Sequence, residues 1–297
     1  MSVFVIGLLI GAGLGAAAVA FGAPFLDRLD PPAFASAPEP AAAKLIRPST
    51  SQVPAPVQPI RLTAGRPVVI GVFGDSLGDG MWAGLYNQFR GDRTYQVIRF
   101  SRAATGFARY DYVDIQQQAI QQLDGRSVDV AVVMAGANDE QGISDGGDAV
   151  GFGTARWRAI YVARIDALVG LLRQRGAAVY WVGLPKMRRA SYDQKAQLLN
   201  AIYEDRARAL GAQFVPTTPV TIDARGQYDD YLTVDGSSRP RLMRARDGIH
   251  MTMAGYMRIS APVASAIRGD VGRALAAGQL QARAEPGAGS GAPTGGR

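Results

Sequence analysis

The sequence predicts one α/β domain built on a largely parallel sheet, and three observations carry that prediction. Near-continuous apolar runs at Val68–Phe73 (VVIGVF), Val128–Ala135 (VDVAVVMA) and Ala177–Val182 (AAVYWV) read as strands covered on both faces. Amphipathic stretches of helical period separate these runs. Once the biased ends of the 297-residue chain are set aside, its middle is long enough for one sizeable core.

The elements follow in alternation. The strand at Val68–Phe73 leads to a helix over Met81–Phe89, and a weaker strand at Tyr95–Phe100 leads to a helix over Tyr112–Leu123. The strand at Val128–Ala135 precedes a helix over Thr154–Arg175, and that at Ala177–Val182 precedes one over Gln194–Leu210. A fifth strand surrounds Gln213–Val215, and a final helix runs from Met253 to about Ala276. Sheets of this kind bind ligands beyond the carboxyl ends of their strands, so motifs that directly follow strands carry the most weight.

The ends differ in composition from this core. Ser2–Leu26 carries no charge and is long enough to span a bilayer, so residues 1–29 read as a membrane anchor; the rival reading is a cleaved signal peptide, supported by small residues at Ala18 and Ala20. Residues 30–60, rich in Pro, Ala and Ser without amphipathic period, read as an extended linker. Residues 61–283 form the folded domain, and 284–297, rich in Gly, Ala and Pro, read as a disordered tail. A chain with such a start is expected at a membrane, or exported if the first segment is cleaved.

Composition narrows the chemistry. There is no cysteine, which removes disulfides, thiolate nucleophiles and sulfur-ligated zinc. One histidine, His250, excludes His-rich metal sites and leaves a single imidazole for any mechanism that needs one. The formal net charge of +7 comes mostly from scattered arginines rather than a dense basic stripe, which argues against a nucleic-acid partner. Nothing in the sequence speaks to oligomeric state.

Three segments carry candidate chemistry. The first strand runs into Gly74-Asp75-Ser76-Leu77, where a serine at a strand-to-helix turn has an accessible hydroxyl and a backbone N–H near a helix N-terminus. Taken alone, Asp75 and Ser76 could serve only to cap the helix, with Gly78 and Gly80 allowing a turn. The strand at Val128–Ala135 ends in Gly136-Ala137-Asn138-Asp139, where the Asn138 amide could donate to an oxyanion forming beside Ser76; taken alone, Asn138-Asp139 after a strand reads as a turn. Asp247-Gly248-Ile249-His250 sets a carboxylate three residues before the imidazole, a spacing that lets the acid accept from Nδ1 and leaves Nε2 facing a nucleophile.

Together these segments resemble the SGNH (GDSL) hydrolase superfamily, in the order its conserved blocks take. The remaining block is looser: where the superfamily commonly shows Asn-x-Gly, this chain has Ser101-Arg102-Ala103-Ala104-Thr105-Gly106. The resemblance covers roughly residues 67–276, and the segments GLPKMRRASYD and YLTVDGSSRPRLMRARDGIHMTMAGY look like a bacterial cell-envelope branch of that superfamily, which implies the periplasmic side of an inner membrane, or the periplasm or beyond if the first segment is cleaved. It implies a three-layer α/β/α sandwich with a mainly parallel five-stranded sheet, esterase chemistry, no metal and no cofactor. Ser76 is the implied nucleophile, His250 the general base and Asp247 its orienting acid; Ser76, Gly106 and Asn138 form the implied oxyanion hole. Asp75 reads as an organiser of the turn rather than the triad acid.

Lys186, Arg188 and Arg189 follow one strand, and Arg239, Arg241, Arg244 and Arg246 lead into Asp247. If both loops share a sheet edge, Arg188, Arg189, Arg244 and Arg246 would bind an anionic substrate such as an acylated acidic glycan; a solvated basic surface explains them equally. Two rival functions remain open at this point: an O-acetyltransferase with the same triad, and a catalytically silent carbohydrate-binding protein of the envelope.

Overall fold

The computed structural model describes residues 54–233 and 239–284, with side chains through residue 278. The proposed anchor, most of the linker and nearly all of the tail lie outside the described residues. Among the described residues, no helix is long and apolar enough to cross a membrane.

Five strands, β1 (Val68–Gly74), β2 (Tyr95–Arg99), β3 (Val130–Met134), β6 (Ala178–Val182) and β7 (Gln213–Val215), form one sheet in the order β2-β1-β3-β6-β7, with every pair parallel. All five residues of β3 and of β6 are buried, as strands covered on both faces must be. The covering layers are α1 (Ser76–Phe89) with α5 (Met253–Ala284) on one side, and α2 (Ile115–Gln122), α3 (Ala155–Gln174) and α4 (Ala190–Ala209), packed in series, on the other. Buried Phe107, Trp157, Tyr161, Trp181 and Tyr203 join in ring contacts, with Trp157 and Tyr161 stacked at 4.4 Å.

The chain leaves β1 for β2 on one side and returns to β3 on the other, so the order of the sheet reverses beside β1. Such a switch point opens a crevice at the carboxyl ends of the strands. There Gly74 pairs in register with Met134, which brings the turns after β1 and β3 side by side.

The structure departs from the sequence reading in three kinds of place. Helix α1 begins at Ser76 rather than Met81, because its glycines answer to packing and not to a turn. A Cβ on Gly80 would sit 1.8 Å from the Tyr256 ring, and one on Gly84 would sit 2.7 Å from the Tyr256 carbonyl, so glycine lets α5 lie against α1. Two short hairpins also escaped the reading, β4 (Ile143–Asp145) with β5 (Asp148–Val150) and β8 (Tyr231–Thr233) with β9 (Pro240–Leu242). Strands of three residues are too short to display a period. Near the start of the domain, Ile60 is buried and the Gln58 N–H donates to the Gly211 carbonyl at 3.2 Å, so the last residues of the predicted linker already belong to the domain.

Candidate active site

The nucleophile turn is built from the inside outward. Gly74 closes β1 at φ +133°, and a Cβ there would lie 1.9 Å from the Met134 carbonyl oxygen, so only glycine admits the approach of β3. Asp75 follows as the N-cap of α1 and is fully buried. Its Oδ1 accepts from Leu77 N at 2.8 Å, while Oδ2 accepts from Gly136 N at 2.9 Å and Ala137 N at 2.8 Å. One carboxylate thus ties the turn after β1 to the turn after β3. Burial raises the Asp75 pKa, and the three backbone donors oppose that rise. Ser76 is the first residue of α1, so its N–H is among the donors a helix leaves unmatched at its start.

The Ser76 hydroxyl lies 2.6 Å from His250 Nε2, and His250 Nδ1 lies 2.6 Å from Asp247 Oδ2. Residues 171 positions or more apart in the chain therefore meet as a continuous serine–histidine–aspartate line. Asp247 Oδ1 also accepts from Ile249 N at 2.8 Å and His250 N at 2.9 Å, which folds the loop around its own acid. Partial desolvation pushes the Asp247 pKa up, but the donors from His250 and Ile249 outweigh it and hold the group at about 2.

Two arginines that the sequence suggested for substrate support this loop instead. Arg244 is 2% exposed and donates to the carbonyls of Lys186 at 2.6 Å, Gly248 at 3.1 Å and Ile249 at 3.0 Å. Its guanidinium is turned inward, behind His250, and burial lowers its pKa. Arg188 grips Asp230 through both carboxylate oxygens at 2.7 and 2.9 Å and donates to the Arg246 carbonyl at 2.7 Å. Arg189 pairs with Glu140 at 3.3 Å, and Arg246 is exposed with no ion pair among the described residues. Of the predicted basic rim, Arg244 is internal scaffolding, Arg188 and Arg189 are exposed but matched by carboxylates, and Arg246 is exposed, because loops rich in arginine here also satisfy carbonyls and carboxylates of their own.

On the other flank, Asn138 Nδ2 donates one hydrogen to the Thr105 carbonyl at 2.8 Å, which orients the amide. Gly106 lies alongside, since a Cβ there would be 3.5 Å from Asn138 Cβ and 2.2 Å from Asp139 Oδ1. Asp139 is the residue that the sequence reading passed over as part of a turn. It is fully buried and accepts from Phe107 N at 3.0 Å, Ala108 N at 2.8 Å and the Tyr161 hydroxyl at 2.8 Å. Burial raises its pKa to about 6 against those donors. An acid in the turn that follows a strand, as Asp75 follows β1, was the available signal. Among the described residues no group of three or more His, Asp or Glu side chains is placed to hold a metal ion.

A five-stranded parallel sheet with these blocks converging on one edge is the arrangement that the SGNH resemblance implied. The chain belongs to the family described as "Protein of unknown function (DUF459)", whose model matches residues 69–266. Among solved structures it is similar to TesA, at 19% identity and TM-score 0.48, covering 68% of this chain and 99% of that one. It is also similar to a GDSL-like lipase from Bacteroides thetaiotaomicron, at 17% identity and TM-score 0.47, covering 68% and 88%. A third is an acetyl xylan esterase, at 14% identity and TM-score 0.45, covering 67% and 100%. No curated protein matches the chain.

Proposed function

We propose that the protein is a serine-dependent ester hydrolase of the bacterial cell envelope, with Ser76 as nucleophile. The observation that carries this reading is the unbroken line of 2.6 Å contacts from Ser76 through His250 to Asp247. With Nδ1–H donated to Asp247, Nε2 accepts the Ser76 proton as Oγ attacks the ester carbonyl. Asp247, ionised at any pH well above 2, keeps that tautomer and stabilises the imidazolium that forms. The N–H groups of Ser76 and Gly106 and the second amide hydrogen of Asn138 receive the developing oxyanion. His250 then returns its proton to the departing alcohol, and a water activated by the same imidazole releases the acid.

Labelling with a fluorophosphonate probe, alongside hydrolysis of p-nitrophenyl acetate, tests the assignment. The wild-type protein should react in both assays, and Ser76→Ala should lose both while keeping its fold by circular dichroism. Wild-type turnover in Ser76→Ala would overturn the serine mechanism. The envelope location rests on the uncharged run Ser2–Leu26. Full-length protein should accordingly fractionate with membranes, and recovery in the cytoplasmic fraction would refute it.

A further inference from the structure

The two loops beside the triad spend their arginines differently. Beside His250, Arg188 and Arg189 are ion-paired, Arg244 is buried against carbonyls and Arg246 is left without an ion pair among the described residues, whereas neither Arg102 nor Arg109, in the loop that leaves β2, forms one there. This second loop adjoins the nucleophile. Arg102 N donates to the Gly74 carbonyl at 2.8 Å, two residues before Ser76, and the Thr105 carbonyl holds Asn138.

Both guanidiniums face one aromatic ring. The Arg102 and Arg109 carbons lie 5.6 and 5.2 Å from the centre of Tyr112, whose side chain is 50% exposed. Arg109 is further fixed by donation to the Ala104 carbonyl at 2.8 Å, and Ala104, at φ +62°, is the one non-glycine residue at positive φ among the described residues. A left-handed alanine costs energy that the surrounding structure must repay, and such positions gather at binding sites. Arg109 also lines a concavity of about 490 Å³, together with Asp111 and the hairpin β4–β5. That size suits a small-ligand subsite. Asp148 on the same wall is occupied by Arg156 at 2.9 Å.

We infer that Arg102, Arg109 and Tyr112 form a subsite for an acidic sugar unit of a glycan, which presents its ester to Ser76. Planar guanidinium forks match a carboxylate in two-pronged fashion, and an exposed ring offers a face for the C–H side of a pyranose. Asp111 supplies an acceptor for the sugar hydroxyls. A nucleic acid is held by a basic groove that tracks many phosphates, whereas two guanidiniums over one ring suit a single carboxylated unit, which favours a uronic acid. The inference deepens the ester-hydrolase reading and rests on it for the role of the bound unit.

Its test is separable from that reading because binding is measured with the nucleophile removed. Full-length Ser76→Ala protein is titrated calorimetrically with oligogalacturonides, with neutral dextran oligomers and with single-stranded DNA. The acidic sugar should bind and the other two should not. Adding Arg102→Gln or Arg109→Gln should weaken binding about tenfold to a hundredfold, as loss of a charge-assisted bidentate contact does. Tyr112→Ala should also weaken it, and Tyr112→Phe should restore it. No binding of the acidic oligomer, equal binding of dextran or DNA, or arginine variants that bind like their parent would each overturn the inference. Absent fluorophosphonate labelling of the wild type would instead sink the hydrolase reading and leave the binding result intact.

Discussion

Two aspartates stand beside the same serine, and their surroundings could hardly differ more. Asp75 is fully buried, its carboxylate spent on three backbone N–H groups from two turns, and burial raises its pKa. Asp247 keeps 46% of its side chain exposed, holds His250, and has its pKa lowered to about 2. The first joins strands β1 and β3; the second serves an imidazole. Proximity to a nucleophile therefore does not assign a role to a carboxylate. What its oxygens touch does.

The sharpest way to break this comparison is to exchange each acid for its amide. Asp247→Asn should lower kcat on p-nitrophenyl acetate on the order of 10⁴-fold, because an amide leaves the imidazole in the wrong tautomer. Its melting temperature at neutral pH should stay close to that of the wild type. The small difference that exists should vanish as pH falls through about 2, since a depressed carboxylate contributes stability above its unfolded pKa and loses it on protonation. A large loss of stability with little loss of rate would reverse the roles assigned here.

The next effect in size concerns the flank opposite His250. Asn138→Ala should lower kcat by about 10² to 10³ with little change in KM, the signature of a donor that acts on charge developing in the transition state. The variant should still react with a fluorophosphonate. Full kcat in a stably folded variant would reduce Asn138 to a brace for the Thr105 carbonyl.

Asp75→Asn should show the smallest change in rate and the clearest change in stability. An amide nitrogen would have to face N–H donors that now meet carboxylate oxygens, at a cost of roughly 1–3 kcal/mol for a buried group left unmatched. Chemical denaturation should register this as a lower midpoint with an unchanged slope. A stability equal to the wild type, combined with a rate loss as deep as that of Asp247→Asn, would mean that Asp75 and not Asp247 is the acid that the imidazole needs.

Legibility in the sequence followed the range of the interaction. Strands β1, β3 and β6 announced themselves as apolar runs, since a strand covered on both faces has no reason to carry polar residues. Asp247 and His250 could be paired from their spacing, because only Gly248 and Ile249 separate them. Helix α1 was cut short because Gly78 and Gly80 read as turn residues, when Gly78 gives clearance to the Met134 and Phe73 carbonyls and Gly80 to Tyr256 of α5, more than 160 residues later in the chain. Asp139 looked like one half of a turn because its partners, at Phe107, Ala108 and Tyr161, are visible only when three segments are assembled.

The arginines mark the boundary most clearly. By itself the sequence determined that the protein is an α/β domain, that its only imidazole follows an acid, and that a serine follows the first strand, because each of these is a local pattern of polarity or spacing. It could not rank Arg102, Arg109, Arg188 and Arg244, which are chemically identical in one dimension. Only the tertiary structure decided that Arg244 faces carbonyls inside the domain, that Arg188 is matched by Asp230, and that Arg102 and Arg109 meet over Tyr112 without a carboxylate. The reason is physical: the charge of an arginine is intrinsic to the residue, but its counter-charge and its exposure come from segments distant in the chain, and those are fixed only when the loops fold together.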